Sequence, residues 1–188
     1  MLTPRRNNDD QLSIFVDVDV NEMRWPSDMD DWEDAGRADN QEYQDLRGMD
    51  IEDLDEMLAA EQRFIAASDS FEEADELLEA IQEGETQDEF NDCFWGLEPG
   101  IASTVFALST IGCAPVVSCN GGGLSALPHG AQTPLVNFYA RQEHLQRLQD
   151  LAEKSGVGLT NYHDGQLQVY ARSITEMMAF ASAVRQSL

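Results

Sequence analysis

The chain has 188 residues, 42% of them apolar, and a formal charge of −25 at pH 7. That is enough apolar content for a packed core, and no run of about 18 apolar residues is present to cross a bilayer. The charge lies entirely in the first half: residues 1–98 hold 31 acids against 6 arginines (−25), residues 99–188 hold 5 acids against 5 bases (zero). Direct binding of DNA, RNA or an anionic bilayer by the acidic half is excluded on charge, because phosphate contacts need cations that displace counterions. Halophilic adaptation would spread acid over both halves, so the division points instead to two jobs within one chain.

Met1 to Asp10 carries Arg5 and Arg6 but no apolar stretch behind them, which argues against a secretory signal. Cys93, Cys113 and Cys119 are an odd, sparse set, so a reducing cytoplasm is the expected compartment. Residues 12–20 alternate as a strand, with Ile14, Val16, Val18 and Val20 on one face and Asp17 and Asp19 on the other. From Asn21 to Gly48 the periodicity disappears while Asp28, Asp30, Asp31, Glu33 and Asp34 cluster, the composition of an acidic linker, partly disordered.

Three acidic helices are expected next: about 50–66 on a stripe of Ile51, Leu54, Met57, Leu58 and Ile65; a second capped by Ser70-Phe71-Glu72-Glu73 with Ala74, Leu77 and Leu78; a third from Thr86 burying Phe90, Cys93 and Phe94. Their outer faces are nearly all carboxylate (Glu72, Glu73, Asp75, Glu76 on the second). Such helices depend on docking, since like charges at i,i+4 cost a few tenths of a kcal/mol each, roughly.

The second half reads helix (Pro99 to Gly112), strand (Ala114–Cys119), loop, strand (Pro134–Ala140), helix (Arg141 to Gly156), a hairpin around His163-Asp164-Gly165, and a helix capped by Ser173-Ile174-Thr175-Glu176. Two α-β-β units follow, each closed by Tyr-Ala-Arg, at Tyr139–Arg141 and Tyr170–Arg172. The fold class is therefore α+β: a four-stranded sheet of duplicated α-β-β units with helices packed on it, preceded by an acidic helical region. The division is 1–49 (strand and linker), 50–98 (acidic helices) and 99–188, the last expected to fold alone. Cys119 and His163 each lie seven residues past a helix-stop glycine, so equivalent units predict both at one sheet edge.

Ser118-Cys119-Asn120-Gly121-Gly122-Gly123 is the foremost candidate for chemistry. Three glycines let successive N–H groups converge on an anion, and Cys119 is a potential nucleophile for which His163 or His129 supplies a base. A buried cysteine ending a strand is the plainer reading of the same residues. Cys113, Cys119, His129 and His163 lack zinc-site spacing, and no metal or cofactor is expected. Asp17-Val18-Asp19-Val20 resembles the first motif of haloacid-dehalogenase phosphatases, but Lys154 is the chain's one lysine and the later motifs are absent, which leaves the wet face of an edge strand. Glu22 stands where a calcium loop requires glycine.

The stretch Gly112 to Gly121 resembles a motif of small, mostly uncharacterised bacterial α/β proteins, in which helix, Gly and a short strand lead into Ser-Cys-x-Gly. It is more distantly similar to the Ser-Cys-x-Gly of the tRNA wybutosine-synthesis methyltransferase family, where the arginine after the glycine corresponds to Gly122 here. Two functional readings result. The first is an acidic binding or regulatory protein (inhibitor, immunity or antitoxin-like factor, or nucleic-acid mimic) that engages a basic protein through Asp28–Asp34 and Glu72–Glu76. The second is a Cys119-centred enzyme, or a binder of small anions at Asn120–Gly123.

Overall fold

The structure, a computed structural model, describes residues 12–26, 46–82, 94–124 and 131–188. Among these lie five α-helices: α1 (Ile51–Ala67), α2 (Phe71–Gln82), α3 (Ala102–Thr110), α4 (Leu145–Ser155) and α5 (Ile174–Gln186). Five strands accompany them: β1 (Val16–Asp17), β2 (Ala114–Cys119), β3 (Leu135–Tyr139), β4 (Gly158–Asn161) and β5 (Leu167–Tyr170). The class is α+β. The third acidic helix, expected from Thr86, falls largely outside the described residues.

Local chemistry accounts for the helix ends. Asp50 accepts the N–H groups of Glu52 and Asp53 while Asp53 accepts that of Asp50, a reciprocal box that starts α1. Gly156 ends α4 in the left-handed region, at φ +72°. Ser173 Oγ accepts the Glu176 N–H, and Glu176 Oε2 reaches back to the N–H of Arg172, fixing the start of α5.

The sheet order is β1-β4-β5-β3-β2. It has five strands rather than four, because Val16 and Asp17 pair in parallel with Leu159 and Thr160 on β4. Only these two residues of the alternating 12–20 segment are strand. Asp19 then turns the chain, accepting the Asn21 N–H at 2.9 Å and exchanging backbone–amide bonds with Asn161 at 2.7 and 3.0 Å.

Leu159, Val169 and Val136 form one cross-strand row, and Leu167 and Phe138 the next; these side chains meet the helices in the main core. On the opposite face Tyr139 joins Ala114 and Val116 in a small cluster with Trp25 against it. The main core runs without a break from Met23 and Leu54 through Phe64 to Phe180 and Val184. The boundary that charge draws at residue 98 therefore crosses a shared core.

The central pair, β3 and β5, is antiparallel, as are β2–β3 and β4–β5. It follows that β2 and β4 run in opposite directions, so equal positions along them fall at opposite edges. Cys119 is level with Leu135, Tyr170 and Gly158, whereas His163 lies beyond the far row of Asn161, Leu167 and Phe138. The expectation that both share an edge is corrected here: counting from the glycines finds the height along a strand, not its direction.

Candidate functional site

The glycine loop follows β2 and is held by the turn that precedes α3. The backbone N–H of Asn120 donates to Glu98 Oε2 at 2.7 Å, and its side-chain amide donates to the Pro99 carbonyl at 3.2 Å. Gly122 N–H donates back to Asn120 Oδ1 at 2.9 Å, and Gly123 N–H to the Asn120 carbonyl at 3.2 Å. Gly121 N–H points at Cys119 Sγ, 3.4 Å away. Asn120 is thus a buried tie-post. All four amides from Asn120 to Gly123 are directed at atoms of the chain itself, and the turn that looked suited to an anion is closed around its own asparagine.

Gly121 and Gly122 adopt φ of +66° and +71°. A Cβ on Gly121 would stand 2.5 Å from the carbonyl carbon of Thr133, and one on Gly123 would stand 2.8 Å from Ile174 Cγ2. Close packing against β3's entry and α5 therefore requires these glycines, with no ligand needed to explain them.

Cys119 is half-buried, with Ser118 beside it in the same state. Burial pushes the Cys119 thiol up, and the Glu98 carboxylate beside it pushes the same way, partly offset by the Gly121 N–H. This is the reverse of an activated nucleophile, which needs a cation or helix N-terminus. Cys113 is fully buried and its thiol is pushed up to about 12. His163 is exposed at the other sheet edge, its ring tilted against Tyr162 at 4.6 Å between centroids. His129 lies outside the described residues. No group of three or more His, Cys, Asp or Glu placed to hold a metal occurs among the described residues.

One residue of this region escapes sequence reasoning. Glu61 lies on α1 with no exposed surface, and its Oε1 accepts the N–H groups of Gly100 at 2.8 Å and Ser103 at 3.1 Å. It caps α3 from another helix, where the cap position itself, Ile101, has no side-chain hydrogen bond to offer. Burial, only partly offset by Ser103 and the amides of Gly100, Ala102 and Ser103, pushes its carboxyl up to about 7. A signal for it exists in the spacing: Leu54, Met57, Leu58, Glu61 and Phe64 follow helical periodicity, and Glu61 is the acid on that apolar stripe.

Helix α2 presents an acidic surface. Phe71, Leu77 and Leu78 pack toward the core and Ala74 is buried, while Glu72, Glu73, Glu76 and Glu79 are exposed and Asp75 is half-buried. Glu73 also steadies the helix start, since its carboxylate accepts the Asp69 N–H at 2.7 Å and its own N–H donates to Ser70 Oγ at 3.1 Å. The other carboxylates proposed for a partner, Asp28, Asp30, Asp31, Glu33 and Asp34, lie outside the described residues. No described helix is long and apolar enough to cross a membrane.

Comparison with protein-family models, with curated proteins and with solved structures finds no match to this chain.

Proposed function

We propose that this chain is an acidic protein-binding or regulatory factor, of the inhibitor, immunity or antitoxin-like or nucleic-acid-mimic kind, that engages a basic partner surface. One observation carries the reading: α2 docks its apolar side on the core and turns Glu72, Glu76 and Glu79 outward. A regular array of carboxylates on a docked helix presents fixed negative potential, which steers a basic partner and keeps nucleic acid away. The linker acids Asp28, Asp30, Asp31, Glu33 and Asp34 extend that charge in sequence. A reducing cytoplasm is the compartment this reading assumes.

The Cys119-centred alternative draws no support from its surroundings. The thiol is raised, the loop amides are engaged, and His163 stands at the far edge.

The test is capture of partners from the native host with the full chain as bait, beside a Glu72→Lys, Glu76→Lys, Glu79→Lys variant that spares the cap residue Glu73. The expected partner is basic, is lost with the triple variant, and associates more slowly as salt shortens the Debye length toward about 3 Å at 1 M. An association rate that stays flat from low to high salt, or one untouched by charge reversal, overturns the reading.

A further inference from the structure

Two polar atoms at the α1–α3 contact are buried and complete no hydrogen bond: Glu61 Oε2 and Ser103 Oγ. The Ser103 hydroxyl nevertheless lies close enough to the carboxyl to act on it. Buried polar atoms are seldom left unpaired, and a pair of neighbouring orphans asks what joins them. Oε1 is engaged by the N–H groups of Gly100 and Ser103, so a proton on this carboxyl sits on Oε2; the Ser103 hydroxyl, which carries its own proton, can donate to the carboxylate or accept from the acid.

The absence of a counter-charge around Glu61 favours the protonated state. Helix α3 carries no ionisable side chain. On α5 the ionisable groups are Glu176, which accepts the Arg172 N–H, and Arg185, which is bonded to Asp55. Glu98, in the turn before α3, accepts the Asn120 N–H. On α1 itself Arg63 is exposed, and the other ionisable groups, Glu52, Asp53, Asp55 and Glu56, are acids that offer no counter-charge. The influences acting on Glu61 are burial, one hydroxyl and three backbone N–H groups, with no cation among them. An unpaired carboxylate in such a place is expensive to bury.

We propose that Glu61 is a proton-operated latch: with a proton on Oε2, α1 stays docked on the Gly100–Ser103 turn, and loss of that proton promotes local opening of α1 so that the carboxylate reaches water. The latch extends to the glycine loop, because the Glu98–Gly100 turn that Glu61 holds also holds Asn120 through Glu98 and the Pro99 carbonyl. The linkage has a definite sign. Burial raises the carboxyl from its ordinary 4.5 to about 7, so between those values the folded chain keeps a proton that the unfolded chain has lost. Stability therefore falls as pH rises through that window, by at most tenfold in the folding equilibrium per pH unit, and levels off above it.

The test uses the full chain. The side-chain carboxyl carbon of Glu61 is followed by NMR from pH 4 to 9, and amide exchange in α1, corrected for intrinsic rate, is measured for wild type and Glu61→Gln. The expected result is a Glu61 midpoint near neutrality, with α1 protection that declines as pH rises in wild type and stays level in Glu61→Gln, whose amide keeps the acceptor without the titration. A midpoint in the ordinary carboxylate range overturns the proposal, and the wild-type titration decides this even if the variant fails to fold. A neutral midpoint with unchanging α1 protection, or with the same decline in both proteins, overturns the latch as well.

Discussion

Glu98 and Asn120, 22 residues apart in the chain, are joined by a 2.7 Å hydrogen bond from the Asn120 N–H to Glu98 Oε2. The bond fixes the glycine loop to the turn before α3. It also sets a carboxylate beside Cys119, where its field opposes formation of the thiolate. A loop composed like an anion cradle thus gives one amide to the chain's own carboxylate and its glycine amides to Cys119 and Asn120.

Glu98→Gln should therefore leave the loop tied, since the amide oxygen still accepts, while removing the charge. Cys119 in the variant is expected to alkylate faster than in wild type around neutral pH, with its pH–rate profile displaced downward. Wild-type Cys119 is expected to react more slowly than a free thiol, whose pKa is about 8.5. Rates of iodoacetamide labelling at Cys119, followed by peptide mass spectrometry across pH 6–10, decide it. Superimposable profiles would show that Glu98 does not govern the thiol.

Two left-handed glycines, Gly156 after α4 and Gly121 after β2, should differ in their tolerance of a side chain. Gly156 has φ +72° with nothing within 4 Å of an added Cβ, so Gly156→Ala should cost about 1–2 kcal/mol from backbone conformation alone. Gly121 has φ +66° and would drive a Cβ to 2.5 Å from backbone of Thr133 and 2.7 Å from Pro134 N. Gly121→Ala should lose that conformational cost and roughly a further 1–3 kcal/mol for displaced backbone. Urea denaturation of both variants checks the order, and equal losses would mean that the loop yields freely.

What is legible in the sequence follows from local chemistry. The caps at Ser70 and Ser173, the stop at Gly156 and the α+β order depend on residues a few positions apart, and their side chains state those roles directly. The relation between Cys119 and His163 is not legible, because spacing carries no information on which hairpin edges pair. The antiparallel β3–β5 junction, a long-range choice, sends the two residues to opposite edges. The role of the glycines is hidden for a related reason. Composition shows that N–H groups can converge, but their acceptors, Glu98 and the Asn120 side chain, are identified by folding alone. Glu61 is legible as an acid on an apolar stripe, while its partners at Gly100 and Ser103 lie 39 and 42 residues away.

The acidic first half is also joined to the end of the chain by a two-pronged pair. Arg185 Nε and Nη2 donate to the two carboxylate oxygens of Asp55 at 2.6 and 2.8 Å, bridging α1 and α5. This bond to Arg185 holds the Asp55 carboxyl below its ordinary 3.8. A depressed acid contributes stability that is present above the unfolded value and is lost as pH falls through the folded one. Asp55→Asn should thus melt below wild type at pH 6, converge on it in acid, and show a smaller gap in high salt, as an exposed pair requires. Thermal midpoints at pH 6 and pH 3, each with and without salt, test this. A gap that does not narrow between pH 6 and pH 3 would assign the loss to packing rather than to the charge.

The deepest consequence of the fold concerns the unit that charge suggests, residues 99–188. Its net charge is zero and its elements are well capped, yet its helices α3 and α5 both pack on α1. Leu54 and Phe64 of α1 are fully buried in the same cluster as Phe106, Phe138 and Phe180, and Phe64 meets Phe94 edge-on at 5.8 Å. Removing residues 1–98 would expose that apolar surface, strip Glu61 from the α3 N-terminus and take β1 off the sheet edge. Burial of a large aromatic side chain is worth several kcal/mol, and Phe64→Ala alone should cost about 3–5 kcal/mol. A domain holds a net stability of only about 5–15 kcal/mol, so losing the whole of α1 removes more than the remainder can spare. The fragment 99–188 is expected to show no cooperative thermal transition by circular dichroism, while fragment 46–188 keeps one at a lower midpoint than the full chain. If 99–188 melts cooperatively by itself, α1 is an accessory to a core that β2–β5, α3, α4 and α5 complete without it.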